Sequence, residues 1–170
     1  MKVLTLMRHA KSSWQNVTLS DRERPLNERG EQDAPMMAKR IVLAGIRPSL
    51  IISSPALRTW TTARIVAQEI GYPLEFLQRE DNLYLASLDE ILDVLLAQDP
   101  DFNDLLLVGH NPGLTTLANY LVPGLVDNLP TAAVVSVRFE LPDWNLYNRP
   151  EIELLTYDFP KRERLSTPGR

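Results

Sequence analysis

Three short stretches of this chain, Val3-Leu4-Thr5-Leu6-Met7, Leu50-Ile51-Ile52 and Leu105-Leu106-Leu107-Val108, are apolar at nearly every position. A strand that alternates apolar and polar residues buries one face, whereas one that is apolar throughout buries both. Only the middle of a sheet with helices on each side provides that. The apolar runs predict strands over 2–8, 50–53, 74–77, 105–109 and 134–140, with a sixth over 152–157. Helical spacing fills 28–44, 55–70, 88–98 and 112–121. Strand and helix alternate, so the expected fold is α/β, a three-layer α/β/α sandwich around a mostly parallel central sheet.

The helix starts carry further information. Ser54-Pro55 and Asn111-Pro112 each place a capping oxygen before a proline at the first helical position, where a missing N–H is no loss. Free N–H groups and the positive dipole end at those two starts favour an anion beyond the strand ends. Ser87-Leu88-Asp89-Glu90 has the form of a capping box and opens the third helix. Pro35, inside the first helical pattern, predicts either a late start or a local kink.

At 170 residues, 44% hydrophobic and 24% charged, the chain is long enough for one well-buried core. Residues 1–160 are expected to form a single domain, and 161–170, mixing charge with Ser, Pro and Gly, a solvated tail. The net charge of −4 gives no global field to attract nucleic acid or an anionic membrane. Having no cysteine, the chain has no disulfide, thiolate metal site or cysteine nucleophile, and the expected compartment is the cytosol. Arg8 and His9 cut the first apolar run short of a signal peptide, and no later run approaches membrane-spanning length.

Against that background the two histidines stand out, because each sits where a predicted strand runs into a turn: His9 after Leu6-Met7-Arg8, and His110 after Leu107-Val108-Gly109. Ligands of open α/β sheets bind beyond the carboxyl ends of the strands, so the two can converge there. A neutral imidazole is a competent nucleophile, and the guanidinium of Arg8 matches phosphate oxygens in a bidentate fork. Adjacency alone would equally suit a capping histidine beside a surface arginine. Arg58 adds weight: it falls in the first turn of the second helix, where a cation opposes the helix dipole unless an anionic ligand is also present. Gly109 is expected to permit a close backbone approach at the His110 turn. Two histidines flanked by arginines, with no carboxylate or cysteine at ligand spacing, make a poor metal site. Arg64 points elsewhere on its helix and is expected to be solvated.

Arg8-His9 after the first strand, Ser54-Pro55-Ala56-Leu57-Arg58 after the second and Gly109-His110 after a late one resemble the histidine phosphatase superfamily, the phosphoglycerate mutase-like group. Arg24-Pro25-Leu26-Asn27-Glu28-Arg29-Gly30 resembles the segment that follows the first motif there. Ala10 stands in place of the usual glycine, followed by Lys11. The chain is short and lacks the large insertions of mutases and acid phosphatases, and these departures resemble the SixA-type branch, the phosphohistidine phosphatases.

The resemblance implies that His9 attacks phosphorus and becomes phosphorylated, that Arg8, Arg58 and His110 bind the phosphoryl oxygens, and that water hydrolyses the intermediate. It implies no cofactor and no metal. Arg24 is a further candidate for the phosphate pocket, while Arg22 and Arg29 read as exposed charges balanced by Asp21, Glu23 and Glu28. Glu80, or its neighbour Asp81, falls in the interval from which relatives draw a proton donor. A site without covering insertions suits phosphohistidine presented by a protein, with small phosphate esters as the alternative substrate and non-catalytic recognition of a phosphorylated partner as another reading.

Overall fold

A computed structural model describes residues 1–162, so 163–170 of the expected tail lie outside the described residues. The elements are β1 Lys2–Arg8, α1 Glu28–Leu43, β2 Leu50–Ser53, α2 Leu57–Ile70, β3 Gln78–Arg79, α3 Leu88–Leu96, β4 Asp104–Gly109, α4 Gly113–Leu121, β5 Val134–Phe139 and β6 Glu153–Asp158. One sheet holds all six strands in the order β3-β2-β4-β1-β5-β6. The β3, β2, β4 and β1 strands run parallel, and β5 lies antiparallel to both of its neighbours.

The pleat sends successive side chains to opposite faces, which explains why the central strands are apolar throughout. Leu4, Leu6, Ile52, Leu105 and Leu107 pack with α3 and α4 on one side. Met7, Ile51, Leu106 and Val108 pack with α1 and α2 on the other. All nine side chains are at most 1% exposed, and each contributes about 2 kcal/mol of burial. The three-layer α/β/α sandwich is therefore as expected.

Some local expectations change. Residues 74–77 are not a strand: Leu74–Phe76 form a 3₁₀ turn, followed by the two-residue β3. Leu74 and Phe76 are exposed, so their hydrophobicity reflects no sheet face. Helix α1 runs through Pro35 instead of starting after it, with the Asn27 side chain accepting from Gly30 N at its start. Neither expected proline occupies a first helical position. Ser54 Oγ accepts instead from Ala56 N, making a turn before α2 begins at Leu57. At α4, Pro112 is the capping residue, reached through a cis Asn111–Pro112 bond, and the Asn111 side chain accepts from both Thr115 N and Thr115 Oγ1. The Ser87–Glu90 capping box forms as expected.

Candidate active site

Parallel pairing of β1 with β4 sets the site, because its register places Arg8 opposite Gly109. The residues that follow, His9 and His110, must then leave the sheet side by side, and His9 N donates to Gly109 O. Their ring centroids are 5.4 Å apart. On the other side of β4, Ser53 pairs with Val108, so Ser54 emerges beside His110. Arg58, the second residue of α2, is 3% exposed and places Nη2 3.4 Å from His110 Nδ1.

The turns beyond the strands are held by close backbone contact. A Cβ on Gly30 would lie 2.1 Å from Lys11 O, so only glycine lets α1 press against the segment after His9. Asn27 N donates to Lys11 O, and Ser12 bridges to Leu26. At the second histidine the tight approach falls on Gly113, whose Cβ would meet Ala86 O at 2.0 Å. Gly109, expected to fill that role, would meet only the side chains of Leu107 and Leu114, at ordinary contact distances. The third support is residues 129–133: Leu129 O accepts from Arg8 Nη1, and Ala132 N donates to the carbonyls of Arg8 and His9.

The two imidazoles are electrostatically similar and chemically opposite. His9 is 7% exposed, and burial pushes its pKa down to about 3, with the Ala10 carbonyl opposing and the charges of Arg58, Arg8 and Arg24 adding to the shift. Burial likewise takes His110 down to about 3, helped by His9 and Arg58 and opposed by Asp21. Both rings are therefore neutral at pH 7. A carbonyl can only accept, so the 2.7 Å contact of His9 Nδ1 with Ala10 O puts the proton on Nδ1 and leaves the lone pair on Nε2. A guanidinium can only donate, so His110 Nδ1 accepts from Arg58, and its Nε2–H donates to Ser54 Oγ at 2.7 Å.

Cations surround these rings. Arg24 is 7% exposed, more buried than its mixed-charge sequence surroundings suggest, and is held by Ser12 Oγ, Ser13 O and Asp21 Oδ1. Arg22 and Arg29 are exposed, as expected, Arg29 pairing with Asp33; Arg64 is also exposed. Burial, then Arg58, lowers the pKa of Arg8, whose Nε is buried with no hydrogen-bond partner among the described residues. That orphaned donor and the clustered positive charge fit an anion. Arg8, His9, Arg24, Arg58 and His110 all line one cavity of about 350 Å³.

Asp21 is the residue that sequence reasoning passed over. It lies in a 3₁₀ turn over Asp21–Glu23, where its carbonyl accepts from Arg58 Nη1 and its carboxylate from Arg58 Nη2, Arg24 Nη1 and Tyr84 Oη. Burial opposes its ionisation, but hydrogen bonds from Tyr84, Arg58 and Arg24 outweigh burial and hold the carboxyl well below the usual range. Asp21 therefore orients two guanidiniums as a carboxylate. The sequence signal was only its place four residues before Pro25. Glu80 does not line the cavity; its backbone N–H donates to Ser53 O, and its exposed neighbour Asp81 also stays outside the cavity lining.

The model of the histidine phosphatase superfamily (branch 1) matches residues 4–84, which include Arg8, His9, Asp21, Arg24 and Arg58. Over those residues the chain resembles the histidine phosphatase superfamily. Its fold is of the SixA type. A structure described as the phosphohistidine phosphatase SixA of Agrobacterium tumefaciens superposes with a TM-score of 0.78 at 25% identity, covering 94% of this chain and 98% of that one. A structure of the protein histidine phosphatase SixA complexed with tungstate gives a TM-score of 0.77 at 21% identity, covering 93% and 97%. An uncharacterised chloroplastic protein of Arabidopsis thaliana is 35% identical over 126 residues, 69% of this chain. Those residues make up 58% of the Arabidopsis protein, so the chain spans less than two thirds of it. Among the described residues, no three His, Cys, Asp or Glu side chains gather as a metal-binding group. No helix among them is long and apolar enough to cross a membrane.

Proposed function

We propose that the protein is a phosphatase that works through phosphorylated His9, with phosphohistidine on another protein as its substrate. The observation that carries this reading is the tautomer of His9: a buried, neutral ring with its proton committed to the Ala10 carbonyl and its Nε2 lone pair free, in a cavity it shares with three guanidiniums. Nε2 attacks phosphorus, and the bond from phosphorus to the leaving nitrogen breaks with its electron pair going to that nitrogen. A proton from water neutralises the departing imidazole. Water then attacks phospho-His9, returning the Nε2 lone pair and releasing inorganic phosphate.

Arg8, Arg24 and Arg58 hold the phosphoryl oxygens, and they act most strongly as negative charge spreads over those oxygens in the transition state. A phosphoryl dianion raises the pKa of His110, so its Nδ1 gains a proton and donates to an oxygen while Nε2–H stays on Ser54. Asp21 positions Arg58 and Arg24. An imidazole leaves more readily than an alkoxide, so the mechanism assigns no carboxylic acid, and Glu80 takes no part. The arginines supply the charge stabilisation that a metal gives elsewhere.

The test is to mix the protein with a histidine-phosphorylated protein, quench in base and look for acid-labile phosphate on His9. Labelling of the wild type and its absence in His9→Ala supports the mechanism. Turnover that persists in His9→Ala, or is lost with a chelator, overturns it. Faster turnover of small phosphate esters than of the phosphoprotein transfers the site to small substrates.

A further inference from the structure

The cavity has two walls that phosphate binding does not explain. Trp14 and Leu85 are 74% and 52% exposed, yet both line the space that holds His9 and the arginines. Trp14 is held in place: one face lies against the Arg24 guanidinium, whose central carbon is 3.2 Å from the ring centroid. Arg24 is itself anchored by Ser12, Ser13 and Asp21, so the indole rests on a fixed base with its outer face in solvent. Leu85 has φ +48°, a left-handed backbone that leucine seldom adopts, in the segment between Tyr84 and Ala86 that Gly113 allows to pack against α4. Exposed apolar side chains at a cavity otherwise lined by charged and polar groups need a ligand with an apolar surface.

Phosphoryl transfer places the attacking and leaving atoms in line. With His9 buried at the inner end, the leaving group departs toward the exposed end, where Trp14 and Leu85 stand. We propose that these two residues form the leaving-group subsite and select a flat aromatic leaving group, the imidazole of phosphohistidine, by stacking on the outer face of Trp14 against Leu85. This deepens the phosphatase reading and rests on it. A glycerol leaving group presents no flat face and gains little from such a wall.

The test compares two substrates that share a phosphorus–nitrogen bond, phosphohistidine and phosphoramidate, only the first of which carries a ring. In Trp14→Ala the ratio of kcat/KM for phosphohistidine to that for phosphoramidate is expected to fall by about three- to tenfold, the range typical of a lost aromatic contact. Trp14→Phe restores it, and Leu85→Ala produces a smaller fall in the same ratio. An unchanged ratio in Trp14→Ala, including an equal loss on both substrates, overturns the subsite while leaving the phospho-His9 mechanism standing. Wild-type protein that hydrolyses neither of these nor a histidine-phosphorylated protein overturns both.

Discussion

The ends of β1 and β4 deliver the same side chain to the same cavity and prepare it for opposite work. His9 gives its Nδ1 proton to the carbonyl of the next residue and keeps Nε2 for attack, whereas His110 has both nitrogens engaged, by Arg58 on one side and Ser54 on the other. Both rings are lowered to about 3 with burial as the first cause, so electrostatics does not separate the roles. The local hydrogen-bond partner does. In the proposed mechanism a single backbone carbonyl makes a nucleophile of one ring, and a side-chain clamp makes an oxyanion donor of the other.

The sharpest way to break this comparison is to remove each ring. His9→Ala is expected to lower kcat by on the order of 10⁴-fold or more, because the covalent route disappears. His110→Ala should lose on the order of 10² to 10³-fold, typical of an oxyanion donor, and should still accumulate phospho-His9 in a quenched reaction. Equal losses without labelling in His110→Ala would merge the two roles.

Each histidine turn also depends on one glycine. Gly30→Ala and Gly113→Ala both force a Cβ into a backbone carbonyl and should each destabilise the fold by about 2–3 kcal/mol in denaturant titrations. The first should disturb the segment after His9, and the second the Ala86 contact beside His110. Stability unchanged in either variant would show that the turn relaxes freely.

The smallest effect per step is the response to pH. The unfolded imidazoles titrate near 6.5 and the folded ones near 3, so in that window the unfolded chain binds more protons and stability falls as pH is lowered. The slope reaches about 1.4 kcal/mol per pH unit for each histidine. Asp21, held below its normal carboxylate range, adds to the loss only below about pH 4. Nitrogen-15 spectra should show both rings neutral from pH 8 to 5 with opposite tautomers. Adding tungstate should protonate His110 while His9 keeps its Nδ1 proton. Matching tautomers in the two rings would remove the distinction.

Much of this was legible because buried parallel strands announce themselves: β1 and β2 coincide with apolar runs ended by Arg8 and Ser53. Of the candidate site residues, Arg8, His9 and His110 could be chosen from their positions at strand ends and Arg58 from the first turn of the second helix, and the cavity brings all four together. Arg24 was set apart from Arg22 and Arg29 only by resemblance to a family segment, because the charge pattern is the same for all three. What distinguishes them physically is burial, which depends on where Trp14 and Asp21 fall in space. Asp21 itself was read as a charge-balancing surface acid, because its partner Arg58 is brought to it from another helix. Leu74 and Phe76 misled for the converse reason, being apolar yet solvent-facing beside Pro73.

The pairing of Arg8 with Gly109 joins segments roughly a hundred residues apart, with α1, β2, α2, β3 and α3 lying between them in the chain. No short local fragment can therefore assemble both imidazoles, and a nascent chain lacks a working centre until β4 has been synthesised and inserted between β1 and β2. Recovery of activity on refolding then reports closure of the middle of the sheet, not merely the appearance of helix or the onset of collapse. An enzyme assay thus serves as a clock for one long-range step in the folding of this chain.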